Sequence, residues 1–479
     1  MRKKTPLLEK TPFAIAKAPM QGALTANAGL AAVSRVLRSL DLGPACQAWI
    51  HIKQRNRGYA PAQFIEPLVM LNAAGGDCME DMKVLREDAA MEKMLGYVAP
   101  SVRAVGDFLV HFHDEDKLQK AQEQAQRQER LAFIVEENAP LQGLQQVQRA
   151  MLAKLDQIFP LPSVATIDQD ATIIESRKRE ATYTYKGMKG YQPMVAAWAE
   201  ARLVVADEFR DGNVPAQMAP LNCAKQAFAA LPHKMEALYF RGDSACHEAR
   251  LINWLRDESR EDGPQGFIGF SVSARMSVEL AQTMRAVPEK QWTTFGHDRD
   301  GTVRQWAELD FVPGEKTEKK DIEPLRYVGL RLSKAQGELF ADGNEHHYHA
   351  ILTNRWDMDG GDLITWNRAK AGTIEHVHDE MKNGLAAGQL PSAKLGANAA
   401  WFRIACIAFN VMSALRQAWP DEAVKNAHPK RLRFVIFSTA GRFVRDRRKI
   451  SLRFAAPRQW IQNLIALFEA FPLITRATG

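Results

Sequence analysis

Three acidic residues stand where predicted secondary structure elements end or begin. Asp170 closes a predicted strand in TIDQDATIIES, residues 166–176, and Asp243 closes a later strand in LYFRGDSAC, residues 238–246. Glu375 lies near the start of a predicted helix. Strand ends and a helix packed against them can bring three carboxylates together, so we expect Asp170, Asp243 and Glu375 to share one site.

Clustered carboxylates imply bound cations. Two like charges about 4 Å apart cost on the order of 4 kcal/mol at an effective dielectric constant near 20. Oxygen ligands favour Mg²⁺ or Mn²⁺ over zinc. Two such ions roughly 3.5 to 4 Å apart activate the attacking oxygen and stabilise the leaving oxygen in phosphoryl transfer. The three acids therefore predict a site for two Mg²⁺ or Mn²⁺ ions that acts on a phosphodiester.

Taken singly, each acid also has a purely structural interpretation. Asp170 could belong to a turn, Asp243 could sit in a loop or cap a helix, and Glu375 could pair with Lys382 on its own helix. Asp168, two residues before Asp170, is a second candidate on the same strand. The order of the elements is what favours a shared site.

These acids are carried by a mixed α/β region. From Pro160 the hydrophobic pattern predicts the order β, β, β, α, β, α, β, with an early antiparallel hairpin around Glu200. Several strand-like runs between residues 274 and 356 predict an inserted β subdomain. A helix at 373–385, with Ile374, Val377, Met381 and Leu385 on its apolar face, and a buried helix follow.

Helices are predicted on the N-terminal side of this region. Residues 1–24 are expected to be a tail, residues 25–113 a set of short helices, and residues 114–159 a helical connector. Ser101 is the expected N-cap of one helix, and Gly75-Gly76 the break after another. Short helices joined by tight turns suit a helix-turn-helix DNA-binding domain and suit a plain helical bundle nearly as well.

The net charge of +7 is unevenly distributed. Between Lys425 and Arg458 we count eleven Lys or Arg against one acid, a local charge of +10. A polyanion could dock there, and a solvated basic face is the alternative. Five cysteines without a CxxC pair indicate a reducing cytoplasm and argue against a zinc ribbon. No segment has the length and apolarity expected of a membrane span.

Further basic residues lie close to the acids in sequence. Arg177, Lys178 and Arg179 follow the first strand, and Lys186 and Lys189 precede the hairpin. They either hold phosphates beside the acids or form a solvated loop. Trp292 and Trp306 in the insertion could stack on an unstacked base, but core packing is the preferred interpretation. His346, His347 and His349, with His376 and His378, suggest zinc, but the first three lie in a strand-like stretch without HExxH spacing and no cysteine lies nearby, which argues against zinc.

Longer motifs resemble a known family. TIDQDAT resembles the first acidic strand of the DDE transposases of bacterial insertion sequences, in which the aspartate precedes x-Thr. KGMKGYQPM, residues 186–194, resembles their Gly-Tyr-x-Pro strand, RDGNVPA their turn, and LYFRGDSAC their second aspartate. Residues 373–403 resemble their glutamate helix, and the stretches AAGGDCMEDMKVLREDAAM and APSVRAVGDFL are also similar. The chain most resembles the IS-thirteen-eighty type of the IS-four-like superfamily, from about residue 25 onward.

This resemblance implies a fold and site residues. It implies an RNase-H-like catalytic core, with an inserted β subdomain and an N-terminal all-helical DNA-binding region. The implied division is 160–273 for the first part of the core, 274–356 for the insertion, 357–418 for the acidic helix and the rest of the core, and 419–479 for a basic region that contacts DNA or a second subunit. Asp170, Asp243 and Glu375 become the catalytic, metal-binding triad, and Asp168 is disfavoured because it lacks the following x-Thr.

One departure from the family pattern concerns a phosphate clamp. Related transposases carry Tyr, two residues, Arg, three residues, Glu, six residues, Lys. Here Glu375 and Lys382 keep the last spacing, whereas Ala371 stands in the arginine place and Arg368 in the tyrosine place. Arg368 or Lys370 is the expected substitute.

The implied activity is cut-and-paste DNA transposition by a bacterial cytoplasmic enzyme, a homodimer on double-stranded DNA. Hydrolysis at the terminal inverted repeats would be followed by attack of the 3′ hydroxyl on target DNA. An RNase-H-like nuclease without strand transfer and an inactive DNA-binding derivative are the alternatives. The residues expected to contact DNA are Arg177, Lys178, Arg179, Lys186, Lys189, Arg368, Lys370, Lys382, Arg442, Arg445, Arg447 and Arg448.

Overall fold

The strands of the computed structural model fall into three sheets. The structure describes residues 22–52, 58–130, 132–232, 234–313, 325–334, 339–446 and 449–473. Within these ranges the strands are β1 (Leu24–Thr25), β2 (Val164–Ala171), β3 (Ile174–Glu175), β4 (Thr182–Tyr183), β5 (Lys189–Tyr191), β6 (Met194–Trp198), β7 (Leu203–Glu208), β8 (Ala237–Gly242), β9 (Gly269–Ser273), β10 (Thr293–His297), β11 (Val303–Leu309), β12 (Arg326–Ser333), β13 (His346–Thr353), β14 (Gly441–Asp446) and β15 (Lys449–Phe454).

Along the chain, the helices precede, separate and follow the strands of the largest sheet. They are α1 (Ala31–Ser39), α2 (Leu42–Trp49), α3 (Ala62–Ala74), α4 (Met82–Glu87), α5 (Met91–Leu95), α6 (Val102–Val110), α7 (Glu115–Arg127), α8 (Ala139–Ile158), α9 (Pro220–Ala229), α10 (Ala249–Arg256), α11 (Val278–Ala286), α12 (Gly360–Arg368), α13 (Ile374–Asp379), α14 (Leu395–Ala418), α15 (Glu422–Lys425), α16 (Pro429–Leu432) and α17 (Arg458–Ala470).

The largest sheet has nine strands in the order β10-β11-β12-β13-β9-β8-β2-β6-β7. At its centre β2 pairs parallel with β8 and antiparallel with β6, and β8 pairs parallel with β9. The β6-β7 hairpin turns at Arg202, which has a positive φ of 54°. The predicted order β, β, β, α, β, α, β from Pro160 matches β2, β6, β7, α9, β8, α10 and β9, with three short strands β3 to β5 added as a separate sheet.

Helices cover both faces of the central strand β2. Successive side chains of a strand point to opposite faces. Gln169 donates to the carbonyl of Pro220 at the start of α9, 2.9 Å away, whereas the neighbouring Asp168 accepts from Thr373 just before α13. This double coverage explains why β2 is buried along most of its length.

The strands of the predicted β subdomain continue the largest sheet. Its last strand, β13, pairs antiparallel with β9 of the core, with Ile351 opposite Ser273 and Thr353 opposite Ser271. The strands β10 to β13 therefore extend the same sheet, and a small apolar cluster around Val328 and Leu363 covers them. Strand-like runs in a sequence do not reveal their pairing partners, which is why the insertion was predicted as a unit of its own.

The long apolar helix α14 is the core helix of the molecule. Among the described helices it is the one long and apolar enough to cross a membrane, but 89% of its most apolar window is buried inside the protein. Arg403 is fully buried and pairs with Asp207 at 2.9 Å and with Glu137 at 2.7 Å. Such a satisfied buried charge ties α14 to β7 and to the segment before α8.

The N-terminal helices pack onto α14 through α1, α3 and α6. Ser101 caps α6 by accepting from the backbone N–H of Ala104 at 3.2 Å, and Gly75 ends α3 in a left-handed conformation, both as predicted. Of the predicted tail, residues 1–24, residues 1–21 lie outside the described residues. Leu24, the last residue of that tail, belongs to β1 and pairs with Arg442 of β14.

Candidate active site

The register of two parallel strands brings Asp170 and Asp243 to the same edge of the sheet. Gln169 of β2 lies opposite Gly242, the last residue of β8. Asp170 and Asp243 each follow directly along the chain, so both residues stand at this edge of the sheet. Because parallel strands present their carboxyl ends at one edge, this is the position at which α/β sheets commonly bind ligands.

A tight turn holds Asp243 in place. Its Oδ1 accepts from the backbone N–H of Ala245 at 3.0 Å and caps a 3₁₀ turn over Ser244–Cys246. The turn folds back on Gly242, where a Cβ atom would lie 2.5 Å from Cβ of Cys246. The capping role considered for Asp243 is therefore present, and it leaves Oδ2 available for a ligand.

Glu375 reaches the same region from α13, which packs against β2 and β6. The side chains of Glu375 and Asp170 line an open cleft of about 660 Å³. Lys186 and Lys382 add positive charge to its wall. Acidic side chains flanked by basic ones suit the binding of a DNA phosphate chain. Metal ions held by the carboxylates would contact the phosphates, and the lysines would attract them.

The pKa of Asp170 responds to the charges around it. Burial, and next the negative charge of Asp243, raise the pKa of the Asp170 carboxyl from 3.8 to about 6. Lys370 opposes this shift and Glu375 adds to it. Asp170 thus feels the negative charge of both other acids, which is the electrostatic condition that a divalent cation relieves.

The donor set fits a hard cation, because all three side chains offer carboxylate oxygens. Within the described ranges, two groups of three metal-binding side chains have donor atoms within 4.8 Å of one another, and the three acids are not one of them. One group is Asp77, Cys78 and Asp81, and the other is His376, Glu380 and His428.

Asp168 serves a different purpose from Asp170. It is fully buried and accepts from Arg241, with Nε at 2.6 Å and Nη2 at 2.8 Å. Arg241 also donates to the carbonyl of Trp366 in α12 at 2.7 Å, and Thr373 donates its hydroxyl to Asp168. With its oxygens engaged in this way, Asp168 positions α12 and α13 rather than facing the cleft.

The predicted phosphate-binding residues divide into two groups. Lys186, Lys370 and Lys382 lie near Asp170, and burial, together with Lys186, lowers the pKa of Lys382. The others are exposed or bound elsewhere. Lys178 donates to the Pro391 carbonyl at 3.2 Å and Lys189 to the Arg179 carbonyl at 3.3 Å. The exposed ones are Arg177, Arg179, Arg368, and Arg442 and Arg445 on β14. Arg447 and Arg448 lie outside the described residues.

The two tryptophans considered for base stacking are packed. Trp292 is 7% exposed, with the Arg331 guanidinium 4.6 Å from its ring centroid. Trp306 lies against Gly360, where a Cβ would approach its ring to 2.2 Å. The preferred interpretation, core packing, is the one that the structure favours for both.

Sequence reasoning gave no role at the cleft to two residues that line it, although it weighed His378 as a zinc ligand. Tyr185 is 74% exposed and lines the cleft, with Nζ of Lys186 5.8 Å from its ring centroid. His378 also lines the cleft, and its buried Nε2 has no hydrogen-bond partner in the described part of the chain. Burial lowers the pKa of His378 to about 3, so its imidazole is neutral. The Tyr-x-Tyr-Lys spacing at 183–186 was the available signal.

Comparison with known protein families gives a match over most of the chain. The sequence profile of a family described as "Transposase DDE domain group 1" matches residues 17–472. Comparison with curated protein sequences gives no significant match. Among solved structures, the chain is similar to a piggyBac transposase in a synaptic complex with hairpin DNA, at 11% sequence identity and a TM-score of 0.44, over 87% of this chain and 82% of that one.

Proposed function

Since this chain belongs to the family of transposase DDE domains, we propose that it is a DNA transposase whose catalytic triad is Asp170, Asp243 and Glu375. The observation that carries this assignment is the β2-β8 register, which brings two of the acids to one sheet edge. The electrostatic influence of Asp243 and Glu375 on Asp170 supports the third member.

The strand order supports an RNase-H-like core. Five strands follow the order β7-β6-β2-β8-β9, with the first three antiparallel and the last three parallel; β2 carries Asp170, and Asp243 directly follows β8. We place this core at 160–273 and 357–418, with the insertion at 274–356. Residues 25–113 are proposed to bind the terminal inverted repeats, 114–159 to connect them to the core, and 419–479 to contact DNA or a second subunit.

The proposed reaction has two chemical steps. Water first attacks the phosphodiester at a transposon end, releasing a 3′ hydroxyl and a 5′ phosphate. The 3′ oxygen then attacks a target phosphodiester, forming one P–O bond as another breaks, so no external energy source is needed. Two Mg²⁺ or Mn²⁺ ions held by Asp170, Asp243 and Glu375 would lower the pKa of the attacking oxygen and neutralise charge on the leaving one.

The protein's own residues prepare the site for these steps. Asp170 holds a proton below about pH 6 and must release it before its carboxylate can bind a cation. Lys186, Lys370 and Lys382 are positioned to neutralise DNA phosphates beside the acids. Lys370 takes the role left open by Ala371. The enzyme is proposed to act as a homodimer in a bacterial cytoplasm, as an IS-thirteen-eighty type transposase.

The test is cleavage of DNA carrying the element's own ends in the presence of Mg²⁺. Asp170→Ala and Asp243→Ala should abolish cleavage and retain end binding. Cleavage by Asp170→Ala at the wild-type rate would overturn the triad. Products that lack joined target DNA would favour a nuclease without strand transfer, and binding without any cleavage by the wild-type protein would favour an inactive DNA-binding derivative.

A further inference from the structure

Three side chains that the proposed reaction does not use converge beside the acidic helix. Nε2 of His376 lies 3.2 Å, and Nδ1 of His428 3.4 Å, from Oε1 of Glu380. All three donor atoms lie within 4.8 Å of one another. His376 belongs to α13 and Glu380 to the π-helical turn that continues it. His428 is the residue directly before α16. Two separate chain segments thus supply the cluster.

A buried arginine holds this cluster together. Nη2 of Arg416 donates to both carboxylate oxygens of Glu380, at 3.0 and 2.8 Å, and its Nε donates to the carbonyl of Ala427 at 2.7 Å. Ala427 directly precedes His428, so one guanidinium fixes both the carboxylate and the neighbour of the second imidazole. Glu380 is only 2% exposed. A carboxylate has about four acceptor positions, so Oε1 retains capacity for a further ligand.

We propose that His376, Glu380 and His428 form a binding site for a transition-metal dication of the Zn²⁺ class. In a tetrahedral site with bonds of about 2.0 to 2.1 Å, neighbouring donors are about 3.3 to 3.4 Å apart. The two distances to Oε1 of Glu380, 3.2 and 3.4 Å, match that spacing. Two imidazoles and a carboxylate are ligands that zinc accepts, and imidazole distinguishes this site from the all-carboxylate one.

The cluster borders solvent, as a site that takes up an ion must. His376 and Glu380 line a cavity of about 620 Å³ that also reaches Arg202 and Lys425. The fourth coordination position would open toward this cavity, where water or an anion could complete the tetrahedron. Arg416 is the outer partner that orients the carboxylate, a role that hydrogen-bonded groups commonly play around zinc ligands.

A bound ion would tie α13 to the segment before α16. Glu375 is the neighbour of His376, so the ion would restrain the helix that carries the third proposed acid. The competing arrangement has both imidazoles donating hydrogen bonds to Glu380, with no ion involved, and it predicts no metal affinity. Because the site is defined by binding alone, it is tested independently of DNA cleavage.

The experiment measures Zn²⁺ binding to the full chain, stripped of metal and kept in millimolar Mg²⁺ to occupy oxygen-only sites. Chelator competition should give one equivalent of tightly bound Zn²⁺, and Co²⁺ should give the intense visible absorption of a four-coordinate ion. His376→Ala and His428→Ala should each weaken Zn²⁺ binding at least tenfold, whereas His297→Ala on exposed β10 should not.

His428 is 57% exposed in its side chain, so its replacement should leave the fold intact, which circular dichroism can verify. Wild-type protein that binds no Zn²⁺ in this assay would overturn the proposal. Equal affinity in His428→Ala and His297→Ala would do the same, because the bound ion would then lie elsewhere.

Discussion

The hydroxyl of Thr373 donates a hydrogen bond to Oδ2 of Asp168, which links the residue before α13 to the central strand of the sheet. The same carboxylate holds Arg241, whose Nη1 reaches the carbonyl of Trp366 in α12. These contacts fix the turn between α12 and α13. They therefore set the position of Glu375 relative to Asp170, which stands two residues after Asp168 on β2.

Thr373→Val should lower the rate of DNA cleavage strongly and the free energy of unfolding only slightly. The lost hydrogen bond costs about 1 kcal/mol, whereas a shift of about 1 Å at Glu375 can lower the rate by up to about 100-fold. Thr365→Val is the matched control, because among the described residues the Thr365 hydroxyl bonds within α12, to the Gly361 carbonyl at 2.9 Å. Single-turnover cleavage and thermal unfolding of both variants provide the comparison. Equal cleavage rates for the two variants would show that Thr373 does not position Glu375.

Asp168→Ala and Asp170→Ala should fail in different ways. Removing Asp168 leaves the buried Arg241 guanidinium without its partner, which should lower the free energy of unfolding by about 3 to 5 kcal/mol. Removing Asp170 deletes a carboxylate that has no buried ion-pair partner among the described residues and that Asp243 and Glu375 repel, so the protein should remain folded and lose cleavage. Urea unfolding of the two variants measures the difference. A stable, inactive Asp168→Ala protein would reverse the two assignments.

The raised pKa of Asp170 should make stability fall as pH rises. The folded protein keeps this proton up to about pH 6, whereas the unfolded chain releases it near 3.8. Between these values the folded state binds more protons, so the free energy of unfolding decreases with pH, by up to about 3 kcal/mol in total. In EDTA, Asp170→Asn should lack this decline and be the more stable protein at pH 7.

Mg²⁺ should make the wild type more stable than Asp170→Asn, since the ion binds the ionised carboxylate of Asp170. At a concentration 100 times the dissociation constant it should stabilise the wild type by about 2.7 kcal/mol and have little effect on Asp170→Asn. Urea titrations from pH 4 to 7.5, with EDTA or Mg²⁺, measure both effects. Parallel pH curves for the two proteins would contradict the proposed environment of Asp170.

Arg442 and Arg445 should contribute to DNA affinity through phosphates. Both are exposed on β14. Changing both to Gln should reduce the slope of log K against log salt concentration by about 1.8, at about 0.9 per phosphate contact. Arg127→Gln with Arg250→Gln removes the same charge from α7 and α10 and serves as the control. If the two double variants give the same slope, Arg442 and Arg445 belong to a solvated face of β14.

Tyr185 should bind an unpaired base at the mouth of the cleft. Stacking on an aromatic ring is worth about 1 to 3 kcal/mol, so Tyr185→Leu should weaken binding of DNA with an unpaired end base by about 5- to 150-fold. Tyr183→Leu is the control, because Tyr183 is also exposed, at 64%, but does not line the cleft. Binding of fully paired DNA should change little in either variant. Equal losses on both DNAs would exclude stacking.

Local patterns in the sequence predicted the elements that carry the acids. Short stretches of sequence are enough to recognise the strands β2 and β8 and the apolar helix face of Ile374, Val377 and Met381. The order of elements predicted from these stretches agrees with the structure. The preference for Asp170 over Asp168 agrees with the way Asp168 is engaged, although the sequence argument rested on a following threonine. Arg241, the partner that explains it, lies 73 residues away.

Long-range pairing was beyond the reach of those patterns. The approach of His428 to Glu380 depends on Arg416, which bridges α14 to two other segments. Likewise, the partner of β13 is β9, and only the folded sheet shows that Ile351 faces Ser273. The exposure of Tyr185 follows from the three short strands beside the cleft, of which β3 and β4 have only two residues each and carry weak hydrophobic periodicity.

The pairing of β13 with β9 means that residues 274–356 are not a removable module. Deleting them would strip β9 of one row of backbone partners and make this buried strand an exposed edge, to which another chain could add. A shortened protein would thus be prone to aggregate even with every proposed catalytic residue in place. Engineers who wish to trim this chain should remove the strands from β10 inward and keep β13 as the new border.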